Sequence, residues 1–225
     1  MDFSAKRILV VGASGVLGGE ITRMLSRAGA QVLGTASSQE SAAHIPSEAA
    51  LRLVVDLGSA ESIKVLTDYL AANEQIDGIL VAAGRVGFGM AADTTAQQVA
   101  ALTRVNFGGP AQLITELLPA LRGREDTFIA AITGVVAEKS FPGMSAYCAS
   151  KSAFSAWLGS LAFESRRDKI KVIDARPGHT ETGLATRPLF GAAPQMPQGM
   201  TAEHVAGVVL AAIAAGTSVV ASTDF

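Results

Sequence analysis

The sequence predicts an α/β fold in which about seven parallel strands form one doubly wound, Rossmann-type sheet with helices on both faces. Short apolar and β-branched runs recur along the chain, and segments of helical length separate them. Runs that are apolar throughout are typical of a parallel sheet covered on both faces, and right-handed crossovers require helix-length connections. A seventh strand is expected after the last helix. The six other candidate strands are Arg7–Val11, Gln31–Leu33, Leu51–Val55, Ile79–Ala82, Phe128–Ile132 and Lys171–Ile173.

Several predicted helices begin and end at residues suited to those positions. Thr95 and Gln98 have the spacing of a capping box, and Thr201 is placed to cap the last helix. Gly29 and Gly216 suit the ends of the first and last helices, because glycine readily adopts the left-handed conformation found there. These signals support the same alternation of strands and helices.

We expect one dinucleotide-binding domain over residues 1–225, because no repeat, linker or low-complexity tract divides the chain. One segment, residues 183–200, is rich in Pro, Gly and Ala and shows no periodicity. Too little chain follows this segment to fold alone, so a substrate lid is the better interpretation than a linker.

Composition excludes several functional classes. The chain is 49% apolar and 17% charged, with a formal charge of −2, which gives no general attraction to nucleic acid or anionic membranes. Cys148 is the only cysteine, so no intrachain disulfide is expected. The apolar run after Arg7 is too short for a signal peptide, and Gly216 interrupts the uncharged stretch 205–223. We therefore expect a soluble cytoplasmic protein.

A glycine-rich turn joins the first strand to the first helix and has the spacing G-x-x-G-x-x-G. One glycine would make the tight turn, a second would let the backbone approach a pyrophosphate, and a third would let the helix pack closely on the sheet. An ordinary strand–helix turn is the alternative, but the position after the first strand favours dinucleotide binding. The predicted contacts are Gly12, Ser14, Gly15, Val16, Leu17 and Gly18.

The end of the second strand bears on the choice between NADP and NAD. An acidic residue there would hold the adenosine ribose and repel a 2′-phosphate, whereas this chain has small hydroxyl residues at 35–38. Hydroxyl groups such as that of Ser37 can donate hydrogen bonds to a phosphate, which favours NADP. No Arg or Lys is nearby in sequence, so NAD remains the alternative, as does a polar turn that touches no ligand.

Further along, the chain resembles the short-chain dehydrogenase/reductase family. Asp56-Leu57 is similar to the family's adenine-contacting segment, and Ala83-Gly84 to the N-A-G segment bordering the cofactor, with Ala82 in place of the usual Asn. Asn106 resembles the helix Asn that organises a water in a proton relay. The resemblance covers essentially the whole chain and implies an NAD(P)-dependent oxidoreductase.

The motif Tyr147-Cys148-Ala149-Ser150-Lys151 carries this resemblance most specifically. Tyr and Lys four residues apart lie on the same face of a helix. A free tyrosine has a pKa of about 10, and a neighbouring ammonium favours the phenolate, which predicts a lowered pKa for Tyr147. The resemblance implies that Tyr147 is the acid–base group, and that Lys151 lowers its pKa and binds the nicotinamide ribose.

The segment after the sixth strand is similar to the family's P-G-x-x-x-T loop. The resemblance implies that this loop meets the nicotinamide carboxamide and the pyrophosphate. His179 within it is interpreted as a pocket-edge residue rather than an acid–base catalyst, and the sparse histidines argue against a metal site. The predicted contacts are Pro177, Gly178, Thr180 and Thr182.

One departure from the family concerns catalysis. The family usually has a serine 13 residues before the tyrosine, and this chain has Gly134 there. That serine donates a hydrogen bond to the reacting oxygen, and losing such a donor lowers rates by on the order of 10²–10³. Thr133 is one candidate replacement, provided that the strand end is irregular. Ser145 is a second.

Two functional hypotheses follow. The first is hydride transfer between the nicotinamide and a carbonyl or secondary alcohol of a small uncharged substrate, with Tyr147, Lys151, Asn106 and Thr133 as catalytic residues. The second is a catalytically impaired, redox-responsive dinucleotide-binding protein, which Gly134 favours. A nucleotide-sugar epimerase shares the glycine spacing, but too little chain follows the sixth strand for a sugar-binding domain. The resemblance also implies a homodimer or homotetramer.

Overall fold

Seven parallel strands form one sheet in the computed structural model, which describes all residues 1–225. Their order across the sheet is β3-β2-β1-β4-β5-β6-β7, and every neighbouring pair is parallel. This confirms the predicted doubly wound α/β fold. The strands are β1 Arg7–Val11, β2 Gln31–Ala36, β3 Leu51–Val54, β4 Gly78–Val81, β5 Phe128–Ile132, β6 Lys171–Ala175 and β7 Val219–Val220.

The predicted strand bounds differ from the observed ones mainly where polar or small residues interrupt an apolar run. β2 continues through Gly34 and Thr35, which pair with Arg52 and Leu53 of β3. β6 continues through Asp174, which pairs with Ala131 of β5. Backbone pairing to both neighbours therefore extends these strands beyond their apolar residues.

Seven α-helices connect the strands, and several begin or end as the sequence predicts. The Thr95 and Gln98 side chains each accept from the other's backbone N–H, and Thr201 Oγ1 accepts from the His204 N–H. Gly216 ends the last helix with φ +76°. The helices are α1 Val16–Arg27, α2 Gln39–Ala42, α3 Ala60–Asn73, α4 Ala96–Thr103, α5 Gly109–Leu121, α6 Ser145–Glu164 and α7 Ala202–Ala215.

The helices cover both faces of the sheet with two apolar cores. On one face, Ile21 of α1 and Val209 of α7 pack with Ile8 and Val10 of β1. On the other face, helices α3, α5 and α6 pack against Leu9 and Val11. Alternate residues of β1 thus enter opposite cores, which is why the strand is apolar throughout.

The order of the strands reverses on either side of β1, since β2 lies to one side and β4 to the other. In open α/β sheets, ligands bind beyond the carboxyl ends of the strands at such a reversal. The loops after β1, β4, β5 and β6 therefore form the edge at which a functional site is expected.

Candidate active site

The glycine-rich turn after β1 is shaped by its own close packing. Gly12 has φ +90°, and a Cβ at this residue would lie 2.8 Å from the backbone N of Ala83. A Cβ at Gly18 would collide with the carbonyl of Gly12. The Gly12 N–H donates to Thr35 Oγ1 at 3.2 Å, which fixes the turn to the end of β2. Side chains larger than hydrogen are therefore incompatible with Gly12 and Gly18.

The start of α1 is suited to an anion. Its N-cap, Gly15, offers no side-chain hydrogen bond, and Val16 is 52% exposed. The first N–H groups of a helix have no partner within it, and they carry the positive end of the helix dipole. Ser14 and Leu17 are half-buried beside this opening. The residues present thus fit a pyrophosphate.

The hydroxyl residues after β2 have different roles. Thr35 is buried and accepts the Gly12 N–H, while Ser38 caps α2 through Ser41. Ser37 is exposed and makes no side-chain hydrogen bond. In the loop after β3, Asp56 is also exposed, and its Oδ1 accepts the Gly58 N–H at 2.8 Å. Leu57 is buried beneath it.

Asn106 lies in a π-helical turn, Arg104–Gly108, between α4 and α5. Its side chain accepts the Arg85 N–H and donates to the Arg85 carbonyl, both at 2.8 Å, and also donates to Ser150 Oγ at 3.0 Å. The Ser150 hydroxyl in turn donates to the Tyr147 carbonyl. Asn106 therefore ties the loop after β4 to the helix that carries Tyr147.

Tyr147 and Lys151 lie on the buried face of α6, 9% and 5% exposed. Lys151 Nζ donates to the carbonyl of Ile132 at the end of β5, at 2.8 Å. A Cβ at Gly84 would lie 3.2 Å from Lys151 Nζ and 3.3 Å from Asn106 Oδ1. The loop after β4, the π turn and α6 therefore meet at Gly84, and a side chain there would press on both polar groups.

Burial is the largest cause of the pKa shifts of both Tyr147 and Lys151. It raises the pKa of Tyr147 above its usual value, and it lowers the pKa of Lys151 to about 8 against the opposing charge of Asp174. The sequence predicts the opposite direction for Tyr147. The prediction counts the Lys151 ammonium together with a bound, positively charged nicotinamide, whereas in the protein without dinucleotide the loss of hydration is the largest cause of the shift.

The end of β5 does not place Thr133 as a replacement for the family's serine. Its hydroxyl is buried and donates to the carboxylate of Asp174 at 2.5 Å. Gly134 has φ +84°, and a Cβ there would meet only the Pro177 carbonyl at 3.6 Å and a Val136 methyl at 3.8 Å. Ser145, the other candidate, is exposed at the start of α6 without a side-chain hydrogen bond. The hydroxyl of Thr133 is therefore not placed to donate a hydrogen bond to a substrate.

The loop after β6 is joined to the loop after β5, because the Val135 N–H donates to the Pro177 carbonyl at 2.8 Å. Within this loop, Thr180 Oγ1 donates to the carbonyl of Gly178, and Thr182 Oγ1 accepts the Leu184 N–H. These contacts place Pro177 and Gly178 at the same edge as Gly134.

The segment 183–200 runs across the loop that follows β4. The Leu189 N–H donates to the Val86 carbonyl at 2.7 Å, and the Phe88 N–H donates to the Phe190 carbonyl at 3.0 Å. The Phe190 ring covers Gly87 so closely that a Cβ there would lie 2.5 Å from it. A cavity of about 540 Å³ opens within this segment, and His179, Glu181 and Met196 form part of its wall.

Two further properties concern the whole chain. No three His, Cys, Asp or Glu side chains approach closely enough to hold a metal ion. None of the helices has the length and apolar character needed to cross a membrane.

The family model for short chain dehydrogenases matches residues 6–188. The chain belongs to the short-chain dehydrogenase/reductase family. A relative in Escherichia coli K12, the "Uncharacterized oxidoreductase YbbO", is 31% identical over 179 residues. That match covers 79% of this chain but only 66% of the relative's length.

Solved structures of short-chain dehydrogenases have the same fold. One from Streptomyces avermitilis is 29% identical, with a TM-score of 0.85, and the match covers 97% of this chain and 88% of that one. One from Burkholderia cenocepacia, in complex with NADP, is 20% identical with a TM-score of 0.85, covering 98% and 89%. One from Burkholderia phymatum, in complex with NAD, is 20% identical with a TM-score of 0.87, covering 99% and 90%.

Sequence reasoning missed two polar residues that make hydrogen bonds in or next to the candidate site, Ser150 and Asp174. Ser150 lies inside the Tyr–Lys motif, immediately before Lys151, and this position is a sequence signal that could have identified it. Asp174 has one partner nearby in sequence, Arg176, but its partners Thr133 and Ser155 lie 41 and 19 residues away, so the sequence does not reveal the whole network.

Proposed function

We propose that this dehydrogenase transfers hydride between a nicotinamide dinucleotide, NADP in preference to NAD, and the carbonyl or secondary alcohol of a small uncharged substrate. The observation that carries the proposal is the convergence of Lys151 and Asn106 at Gly84, beside the glycine-rich turn, with Tyr147 one helical turn before Lys151 on the buried face of α6. Family membership supplies the reaction class. The bound dinucleotide supplies the hydride donor or acceptor.

The proposed binding residues follow the carboxyl edge of the sheet. The start of α1 would hold the pyrophosphate, since its N–H groups are free and its glycines allow close approach. Ser37, Asp56 and Leu57 would border the adenosine. Lys151 would bind the nicotinamide ribose, and the loop after β6 would contact the carboxamide. The remaining proposed contacts are Ala83, Gly84, Pro177, Gly178, Thr180 and Thr182.

The raised pKa of Tyr147 favours carbonyl reduction over alcohol oxidation. A raised pKa keeps Tyr147 protonated at neutral pH, so its hydroxyl can donate a proton to the developing alkoxide. The Lys151 ammonium would stabilise the phenolate left behind, because an opposite charge nearby favours the ionised form. Asn106 would hold the loop after β4 against α6 during this step. Alcohol oxidation would require the phenolate at the outset.

The preference for NADP rests on the end of β2, where Ser37 is exposed and no carboxylate is present. The neighbouring structures include complexes with NADP and with NAD, so the proposal needs its own test. Titration followed by nicotinamide fluorescence should give tighter binding of NADPH than of NADH. Ser37→Asp should reverse that order, because a carboxylate repels the 2′-phosphate and accepts from the ribose hydroxyls. Tighter NADH binding by the unmodified protein would overturn the preference.

Turnover is tested with a panel of uncharged aldehydes, ketones and diketones, with NADPH consumption as the readout. Tyr147→Phe keeps the ring and removes the hydroxyl, so it should abolish consumption while leaving NADPH binding within a few fold. Unchanged turnover in that variant would require the mechanism to be abandoned.

A second candidate is a catalytically impaired dinucleotide-binding protein. It is favoured by Gly134 and by Thr133, whose hydroxyl is committed to Asp174. NADPH binding without turnover of any compound in the panel would select this candidate.

The lid role of residues 183–200, the single domain over residues 1–225, the cytoplasmic location and the homodimeric or homotetrameric assembly stay predictions. Light scattering of the purified protein would test the assembly.

A further inference from the structure

A buried carboxylate lies behind the helix that carries Tyr147 and Lys151. Asp174 of β6 is 4% exposed. One of its oxygens accepts from Thr133 Oγ1 at 2.5 Å, and the other accepts from Ser155 Oγ at 2.7 Å and from Arg176 Nε at 2.8 Å. Four protein groups thus form one network, and the reaction proposed above uses none of them.

The network reaches the same part of β5 as Lys151. Ser155 follows Lys151 by one helical turn on α6, so the two side chains lie on one face of the helix. Asp174 pairs with Ala131 of β5, and Lys151 donates to the carbonyl of the next residue, Ile132. The carboxylate and the ammonium therefore flank adjacent residues of one strand.

The charges around Lys151 are few. On its own helix the titratable neighbours are Tyr147 and Cys148. On β6 the titratable neighbour is Asp174, and Arg176 directly follows that strand. The loop after β4 and the π turn contribute Gly84 and Asn106, which are uncharged, and Arg85 beside them is exposed. Asp174 is therefore the anion placed to balance the buried ammonium.

We propose that Asp174 is a positioning residue that acts through Lys151, keeping the buried ammonium charged and held against β5. The inference rests on the proposed function, in which Lys151 must be cationic. The carboxylate of Asp174 is held in place by hydrogen bonds from Thr133, Ser155 and Arg176. Arg176 moderates the effect, because its own charge opposes that of Lys151.

The test measures the protonation of Lys151 directly in the protein without dinucleotide. The chain has six lysines, so ¹³C-lysine labelling gives few side-chain signals, and Lys151→Arg assigns the one of interest. Asp174→Asn should lower the pKa of Lys151 by about one unit, as expected for loss of a nearby opposite charge. Arg176→Gln should raise that pKa, because it removes a cation and leaves Asp174 less neutralised.

Ser155→Ala is the matched control, since it removes two hydrogen bonds, to Asp174 and from Arg176, and no charge. It should leave the titration of Lys151 within a few tenths of a unit of the unmodified protein. An unchanged pKa in Asp174→Asn, or shifts in the same direction for Asp174→Asn and Arg176→Gln, would overturn the inference. If Asp174→Asn does not fold, the direction in which Arg176→Gln shifts the pKa of Lys151 decides the inference by itself.

The same variants should move the pH at which NADPH affinity falls, downward for Asp174→Asn and upward for Arg176→Gln. A protein that binds neither NADPH nor NADH would refute the proposed function. The lysine titration would still decide the coupling between Asp174 and Lys151, so the two failures are distinguishable.

Discussion

Replacing Gly134 tests two questions. The first is whether the backbone conformation at this position requires glycine, and the second is whether a serine at this position would increase turnover. The φ of Gly134 is +84°, in the positive-φ region that side chains disfavour. The space is not limiting, because a Cβ would have its nearest contacts at 3.6 Å and 3.8 Å, which are ordinary van der Waals distances. The whole penalty of a side chain at Gly134 therefore comes from the backbone.

The expected magnitude follows from two opposing effects. With ψ at 165°, Gly134 lies in a positive-φ region populated almost only by glycine, and this conformation costs a residue with a side chain about 1–3 kcal/mol. Loss of flexibility in the unfolded chain returns about 0.4–1 kcal/mol. Gly134→Ala should therefore lower the free energy of unfolding by about 1 kcal/mol, which corresponds to a Tm roughly 2–4 °C lower for a domain of this size.

Urea unfolding of three variants separates the backbone from the hydroxyl. Gly134→Ala and Gly134→Ser should lose the same stability. Gly159→Ala, on α6 with open space around its Cβ, should gain roughly 0.5–1 kcal/mol because alanine favours helix. If the serine restores a donor, Gly134→Ser should turn over the carbonyl panel faster than Gly134→Ala. Equal turnover would refute the donor hypothesis, and an unfolding free energy of Gly134→Ala equal to that of the unmodified protein would refute the backbone argument.

Three further outcomes are expected. Gly84→Ala should lower turnover roughly 10- to 100-fold, because its Cβ would lie 3.2 Å from Lys151 Nζ and displace a positioned group. The loss should appear in steady-state rates with little change in the urea midpoint, and an unaffected rate would contradict the convergence at this residue. The rate of carbonyl reduction should fall as pH rises past about 8, where Lys151 loses its proton, and a flat profile to pH 10 would contradict a cationic role. The rate of alcohol oxidation should instead rise with pH, because the raised pKa of Tyr147 leaves little phenolate at neutrality. Initial rates measured in both directions between pH 6 and 10 test these two outcomes.

The fold could be predicted from local patterns because each strand is buried on both faces and is therefore apolar along its length. Arg7–Val11 and Phe128–Ile132 match the observed strands at both ends. The prediction shortened β6 at Ile173, because Asp174 ends the apolar run there. A carboxylate within a buried strand is tolerated only with partners, and two of the three partners of Asp174 come from elements distant in sequence.

The candidate site was predictable only as far as its motifs were contiguous. Tyr147, Lys151 and the glycine-rich turn each lie in a short segment whose chemistry is visible in the sequence. The π turn around Asn106 is not, because the choice between α and π hydrogen bonding depends on packing. The direction of the pKa shift of Tyr147 also depends on burial, which no spacing reveals. The partner of the Thr133 hydroxyl, Asp174, lies 41 residues away in sequence. No local pattern therefore indicates that this hydroxyl points to Asp174 and not to a substrate.

The backbone around Gly134 explains how the chain tolerates the missing serine. The N–H groups of Thr133 and Gly134 both donate to the Ala175 carbonyl, and the Val135 N–H donates to that of Pro177. Gly134, with its positive φ, lies between these hydrogen bonds, so the glycine is part of the backbone connection between the loops after β5 and β6. This connection holds Pro177 and Gly178 at the edge where the carboxamide is proposed to bind.

Dinucleotide affinity and turnover should therefore respond differently to the absence of the serine. The groups proposed to bind the dinucleotide are intact, whereas one donor to the reacting oxygen is missing, which lowers turnover by on the order of 10²–10³. We expect a Kd for NADPH typical of a functional reductase together with a low kcat. Single-turnover measurements at saturating NADPH test this, because they report the chemical step without product release. Fast chemistry there would show that another group, such as the exposed hydroxyl of Ser145, supplies the donor.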